Sequence, residues 1–133
     1  MQVQPYLFFE GRCEEALSFY ATAIGAEVVT KMRYKDSPDP AMCSAGTADK
    51  IMHASFRVGE TTLMASDGGC EGNPTFHGFA LSITVSAEAD AEKLFNALAA
   101  GGKVTMPLTK TFFAKSFGMV ADKFGMGWMI LAM

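Results

Sequence analysis

Three polar residues alternate along one short segment, "IMHASFRV" (51–58). His53, Ser55 and Arg57 are spaced two apart, and a strand places residues with this spacing on one face. A histidine there can act as a general base or as a hydrogen-bond donor to a ligand, and a guanidinium can clamp a carboxylate or phosphate. The alternative is a histidine at a strand start that backbone or water satisfies.

The cysteines and one glycine-rich loop offer weaker candidates for chemistry. Cys13 opens a predicted helix, where the helix dipole could lower a thiol's pKa, but burial as a small apolar residue is the safer interpretation. Cys43 and Cys70 lie in predicted loops and belong to no motif. The segment "SDGGCEGN" (66–73) follows a strand, yet neither a helix N-terminus nor a G-K-[ST] follows it. It therefore predicts a turn and not a phosphate loop.

An internal repeat indicates how the chain positions these residues. "FYATAIGAEV" (19–28) and "FNALAAGGKV" (95–104) share F-x-A-x-A-x-G-x-x-V at an offset of 76. "RVGETTLMAS" (57–66) and "KFGMGWMILA" (123–132) both place a glycine turn before an apolar strand. Two matches in the same order predict a duplicated module, with too few copies for a solenoid.

Each module is predicted to run strand, helix, then three strands. The first has strand 3–9, helix 12–24 ended by Gly25, and strands 27–35, 51–58 and 61–66, with an irregular stretch before 51. The second has strand 79–85, helix 87–100 with Ser86 as its N-cap, and strands 103–108, about 117–122 and 127–132. Residues 67–78 are predicted to be a flexible connector. Antiparallel strands with one helix per module indicate an α+β fold, here a single domain (1–133) with modules of about 1–67 and 76–133.

The alternation along the strands predicts which face of each sheet a helix covers. In strand 79–85 the apolar residues Leu81, Ile83 and their neighbours should lie under the helix, and the side with Ser82 and Thr84 should line a concavity. A solvated sheet face is the alternative. We predict a ligand surface from the residues assigned to the uncovered side: His53, Ser55, Arg57, Thr62, Met64, Ser66, Ser82, Thr84 and Trp128.

Composition excludes several classes of protein. The chain has 133 residues, of which 50% are hydrophobic and 19% charged, which is typical of an ordinary soluble globular domain. A net charge of −3 and the absence of a basic run argue against nucleic acid as a partner. No segment has the pattern of a signal peptide or membrane helix, and three cysteines without a C-x-x-C pair suggest free thiols, so a cytoplasmic location is expected.

The basic residues are unevenly distributed. Residues 101–133 carry four lysines against Asp122 alone. This excess is either a solvated face or a mildly positive pocket rim that would favour an anionic small molecule.

Four segments resemble the vicinal oxygen chelate (glyoxalase/bleomycin resistance) superfamily, and more closely its PhnB-like branch. They are "PYLFFEGRCEEALSFY", "MHASFRVGETTLMASD", "GFALSITV" and "FFAKSFGMVADKFGMGWMI" (112–130), of which the D-K-F-G-x-x-W core is the most specific. The resemblance covers nearly the whole chain. It implies paired β-α-β-β-β modules that form an eight-stranded open cup with one helix per module on the outer face, usually in a homodimer.

The resemblance also implies where a metal would be expected. Metal-dependent members use four positions, on the first and last strand of each module, which correspond here to Pro5, Met64, Gly78 and Ile130. None offers a hard or borderline ligand, and Met64 is at best a soft thioether for copper(I). His77 lies one residue before the expected position, and one imidazole without partners would not hold zinc or iron. We therefore expect no metal and no cofactor.

Two classes of function are kept as hypotheses, beside a structural or regulatory dimer without a small ligand. The first is a homodimeric, metal-free protein that binds a small molecule in the sheet cup. The second is a lyase, isomerase or dioxygenase-type enzyme that uses a metal or His53 acid–base chemistry. The chain lacks a Rossmann-like glycine fingerprint, so we expect no methyltransferase activity, although PhnB-like proteins often carry that label. The identity of any catalytic residue is left open.

Overall fold

The structure, a computed structural model, describes residues 1–37 and 46–133; Cys43 lies outside them. The chain divides into two compact units, Met1–Pro74 and Thr75–Met133. The first unit contains β1 (Tyr6–Phe8), α1 (Cys13–Ile24), β2 (Glu27–Arg33), a short 3-10 helix (Tyr34–Asp36), β3 (Ile51–Val58) and β4 (Thr61–Ser66). The second contains β5 (Leu81–Val85), α2 (Glu88–Ala99), β6 (Lys103–Thr109), β7 (Ser116–Ala121) and β8 (Gly127–Ala132). The predicted pair of β-α-β-β-β modules is confirmed.

Both sheets have the same topology. Their strand orders are β1-β4-β3-β2 and β5-β8-β7-β6, and the first strand of each unit is parallel to the last. The other neighbours are antiparallel. Within the described residues, neither helix is long and apolar enough to cross a membrane.

The end of α1 agrees with its sequence signal, whereas the start of α2 does not. Gly25 ends α1 in the left-handed conformation (φ 71°), where glycine has no steric penalty, as predicted. The predicted cap of α2 is wrong: the N-cap position is Ala87, and no side chain caps it. Ser86 lies one position before the cap. Its carbonyl accepts a hydrogen bond from Lys115 Nζ at 2.9 Å.

In the first unit, α1 packs on the face of the sheet that carries Phe56 and Leu63. Phe56 stacks on Tyr20 of α1 with ring centroids 6.1 Å apart, and it pairs across the strands with Leu63. Both rings are fully buried. The opposite face of this sheet, which α1 does not cover, is called the first open face below.

In the second unit, α2 packs over Gly118. A β-carbon at Gly118 would lie 2.6 Å from an atom of the Phe95 ring of α2, so the missing side chain provides room for this ring. Gly118 is aligned with Ile130, and Val120 with Trp128, so these residues share the helix-covered face. The opposite face, called the second open face, carries Ser82, Thr84, Phe117, Met119, Met129 and Leu131.

The repeat is confirmed, with a change of register in its second half. In the first unit Met64 is aligned with Tyr6, and in the second Met129 is aligned with Ser82. Met64 therefore corresponds to Met129 and not to Ile130, an offset of 65 where the glycine alignment predicts 66. The cause is loop length, because only Gly59 and Glu60 separate the paired ends of β3 and β4, whereas residues 122–126 separate those of β7 and β8.

Candidate functional site

The first open face brings together most of the predicted ligand-binding residues. His53, Ser55 and Arg57 alternate with the buried Ala54 and Phe56, as the sequence predicts. On the neighbouring strand β4, Thr62, Met64 and Ser66 lie on this same face, since Arg57 is aligned with Thr62 and Ser55 with Met64.

A tyrosine and a histidine form the best-defined polar pair on this face. Tyr6 Oη and His53 Nδ1 are 3.0 Å apart, and both residues are half-buried. Their rings are also in contact, with centroids 5.6 Å apart. Tyr6 was missed in the sequence because it comes from β1, far along the chain. A local signal places Tyr6 on the open face of its sheet, since Tyr6 and Phe8 alternate along β1 with the fully buried Leu7 and Phe9.

A second pair of hydroxyls lies in the adjacent row of the sheet. Thr30 of β2 is aligned with Ser55, and their hydroxyl oxygens are 2.6 Å apart. The row continues through Met64 to Tyr6. The hydroxyls of three of these four residues can donate or accept hydrogen bonds, so the row offers a ligand polar contacts without a fixed charge.

Arg57 has a carboxylate partner already. Its guanidinium lies 2.7 Å from Glu27 on β2, and about half of the Arg57 side chain is exposed. An exposed pair of this kind contributes about 0–1 kcal/mol to stability. The predicted clamp for an anionic group therefore requires a ligand that competes with Glu27.

Ser66 lies at the end of β4, where the chain turns. It is 3% exposed, and its Oγ accepts a hydrogen bond from Gly68 N at 3.2 Å. In this conformation it supports the turn after β4. The next residue, Asp67, is also buried and accepts hydrogen bonds from Cys13 N at 2.7 Å and Ile51 N at 2.6 Å. Asp67 thus joins the start of α1 and the start of β3 to the end of β4.

Two groups near this turn, Tyr34 and Cys70, have raised pKa values. Burial, assisted by the charge of Cys70, raises the pKa of Tyr34, whose hydroxyl donates to Gly68 O at 3.2 Å. Burial raises the pKa of Cys70, and the negative charge of Asp67 raises it further. For Cys13 the same causes raise the pKa to about 12. Cys13 is fully buried, which confirms the apolar interpretation and removes the activated thiol.

The remaining predicted residues belong to the second unit. Ser82 and Thr84 are exposed and lie opposite the helix-covered face, as predicted. The predicted face of Trp128 is wrong. Trp128 is 2% exposed, it lies on the face that α2 covers, and its indole N–H donates to Asp122 Oδ2 at 2.9 Å. The register change in the longer β7–β8 loop explains the error.

The four positions implied for a metal do not converge on an open face. Pro5 precedes β1, and its carbonyl accepts from Met64 N at 3.0 Å. Gly78 is exposed and outside the strands, as is His77, and Ile130 is fully buried on the helix-covered face. Only Met64 remains on an open face, so the implied donor set does not fit zinc or iron.

The residues on the open faces of the first and last strands do not provide a metal site either. They are Tyr6, Phe8, Thr62, Met64, Ser66, Ser82, Thr84, Met129 and Leu131. Hydroxyls, thioethers and apolar groups are poor ligands for borderline divalent metals. Across residues 1–37 and 46–133, no group of three or more His, Cys, Asp or Glu side chains could hold a metal ion.

A protein-family model, described as 3-demethylubiquinone-9 3-methyltransferase, matches residues 1–131. The chain belongs to this family. Protein YjdN of Escherichia coli is 35% identical over 98% of the chain and 94% of its own length. The crystal structure of PA1353 from Pseudomonas aeruginosa has a TM-score of 0.86 at 44% identity, covering 99% of this chain and 97% of that one. A Bacillus cereus structure described as a putative 3-demethylubiquinone-9 3-methyltransferase, PhnB protein, has a TM-score of 0.83 at 31% identity over the full length of both chains.

The fold is also shared with a more distant protein. A glyoxalase-related enzyme from Fulvimarina pelagi has a TM-score of 0.65 at 21% identity, with 100% of this chain and 88% of that one covered. At this identity the comparison concerns the fold alone. The predicted resemblance to the PhnB-like branch and to the glyoxalase/bleomycin resistance fold is confirmed.

Proposed function

We propose that the protein binds a small molecule on the first open face, with the Tyr6–His53 pair as its principal polar contact. The observation that carries this proposal is the 3.0 Å hydrogen bond between Tyr6 Oη and His53 Nδ1 on a half-buried sheet surface. Surfaces that combine apolar area with a few placed polar groups are typical of ligand sites. The bond to Nδ1 directs the opposite ring nitrogen away from Tyr6, where it can contact a ligand.

The charges on this face suggest how an anionic ligand would bind. Arg57 lies 2.7 Å from Glu27, so a ligand carboxylate or phosphate would replace the Glu27 carboxylate as its partner. Glu27→Gln removes this competitor and is expected to tighten the binding of an anionic ligand, while Arg57→Ala weakens it. A ligand whose affinity is unchanged in both variants does not use Arg57.

We expect no metal in the proposed site, because its donors, apart from the Glu27 carboxylate that is paired with Arg57, are hydroxyls, one imidazole and a thioether. The first test is a native mass spectrum of the protein purified from its own cells without chelator. We expect an organic adduct on the protein and no zinc, iron, nickel or manganese. Stoichiometric amounts of one of these metals would contradict the proposal and make a metal enzyme the leading interpretation.

Variants then test whether the adduct lies on the first open face. Tyr6→Phe removes one hydroxyl and His53→Ala one imidazole, and we expect both to reduce retention of the adduct. His77→Ala is the matched control, because His77 is exposed and outside the strands. Equal retention in His53→Ala and His77→Ala would refute this position for the site.

A second candidate function is an enzyme that uses acid–base chemistry. The same Tyr6–His53 contact favours it, because a hydrogen-bonded phenol and imidazole can pass a proton to or from a bound substrate. Conversion of the identified adduct by the wild-type protein, and loss of this conversion in His53→Ala, would support an isomerase or lyase. Binding without conversion supports the first candidate.

We also propose that the protein is a homodimer in a cytoplasmic setting. Large apolar side chains are exposed on an edge strand of each sheet, including Val28 and Val29 of β2 and Val104 of β6. Exposed apolar edge strands favour association between chains. Analytical ultracentrifugation should give twice the 14.2 kDa mass of one chain, and a monomer at micromolar concentration would contradict this.

A further inference from the structure

Three methionines form one row across neighbouring strands of the second open face. Met106 of β6 is aligned with Met119 of β7, and Met119 is aligned with Met129 of β8. Side chains directly opposite each other in antiparallel strands have β-carbons about 4.5–5.5 Å apart. Three thioether sulfurs can therefore reach a common point above Met119.

These methionines differ from the buried methionines of a core. Met106 is 41% exposed, and Met119 and Met129 are half-buried. By contrast, Met126 in the β7–β8 loop is fully buried. The equivalent row of the first unit contains one methionine, Met64, beside hydroxyl-bearing residues, so the fold itself does not require three.

The chemistry of this donor set selects a particular class of ion. A thioether is a soft, neutral ligand that favours copper(I) over zinc or magnesium. Three rotatable bonds let each Met side chain move its sulfur toward a shared ion. The register of β6 shifts on each side of Met106, and such irregularities re-aim the side chains beside them. We propose that Met106, Met119 and Met129 bind one soft monovalent metal ion, copper(I) or silver(I).

Binding by thioethers has a property that separates it from binding by the other soft ligands of this chain. A thioether has no proton to lose, whereas thiols and imidazoles must be deprotonated before they bind a metal. At about pH 5 imidazoles are largely protonated, so binding of silver(I) to histidine is weakened while binding to the methionine row is not. The site is independent of the Tyr6–His53 site, so either can fail without the other.

The experiment is a silver(I) nitrate titration of the wild-type protein, labelled with ¹³C at the methionine methyl groups, in a chloride-free acetate buffer at about pH 5. The methyl signals of Met106, Met119 and Met129 should shift together, and their shift should be complete over the addition of about one equivalent of silver. The signals of Met64 and Met126 should stay in place. Binding to cysteine leaves these methyl signals unaffected, so it is not mistaken for the proposed site.

Substitutions by leucine keep the volume and remove the sulfur. Because changes beside metal ligands already cost about 10–100-fold in affinity, Met119→Leu should weaken silver binding by at least tenfold. Met126→Leu is the control and should leave the affinity within about twofold. The proposal is overturned if fewer than three of the row's methyl signals shift, if they shift at separate silver ratios, or if the two variants behave alike.

Discussion

Replacement of Asp67 tests a buried carboxylate of the first unit that accepts two backbone hydrogen bonds. Asp67 is 1% exposed, and its two oxygens accept hydrogen bonds from Cys13 N and Ile51 N at 2.7 and 2.6 Å. Hydrogen bonds to charged groups contribute about 1.5–3 kcal/mol each, and a buried amide left without an acceptor costs about 1–3 kcal/mol. We expect Asp67→Ala to lower the free energy of unfolding by about 3–6 kcal/mol.

Asp67→Asn separates the role of the charge from that of the side-chain volume. The amide keeps one acceptor and places an N–H group against a backbone N–H, so the expected loss is about 2–3 kcal/mol. Asp49→Asn is the matched control, because the Asp49 side chain is 84% exposed and forms a surface ion pair with Lys35. A surface change of this kind should stay within about 0.5 kcal/mol.

The assay for these variants is urea unfolding followed by far-UV circular dichroism, which reports both units. The reasoning is wrong if Asp67→Asn and Asp49→Asn lower the free energy of unfolding equally. A large loss in Asp67→Ala with almost none in Asp67→Asn would show that volume, and not charge, is what this position requires.

Two further predictions concern a glycine and a thiol. A β-carbon at Gly102 would lie 2.2 Å from a backbone carbonyl oxygen, while one at Gly127 would meet nothing closer than 3.6 Å. In urea unfolding, Gly102→Ala should therefore lower the free energy of unfolding by at least about 2 kcal/mol and Gly127→Ala by under about 0.5 kcal/mol. Similar losses in the two variants would contradict the geometry. The pKa of Cys13 rises from 9.0 to about 12 in the folded protein, so above pH 9 the unfolded chain loses a proton that the folded chain keeps, and stability falls with a limiting slope of about 1.4 kcal/mol per pH unit. Unfolding midpoints measured between about pH 8 and 11 should fall less in Cys13→Ala than in the wild type, and parallel curves would refute this assignment.

Much of the secondary structure was predictable because its signals are local. The bounds of β3, β4 and β8 agree with the predicted ranges, and both helices agree within one residue at each end. Glycine at a helix end and period-two alternation in a strand act within a few residues, so one sequence contains them fully.

The candidate site was only partly predictable because it depends on distant pairing. His53, Ser55 and Arg57 come from one strand, and alternation alone places them together. Tyr6 reaches His53 only through the pairing of β1 with β4 and of β4 with β3, which no local pattern encodes. The predicted face of Trp128 failed for a related reason, since a longer loop shifts the register and moves each side chain to the opposite face.

Trp128, whose indole N–H donates to Asp122, is a fluorescent probe of the second unit alone. The chain has one tryptophan, and its buried indole lies wholly within Thr75–Met133. Its emission therefore follows solvent entry into that unit alone, whereas circular dichroism averages over both. Coincident transitions by the two probes would mean that the duplicated modules unfold cooperatively, and separated transitions would give each module its own stability.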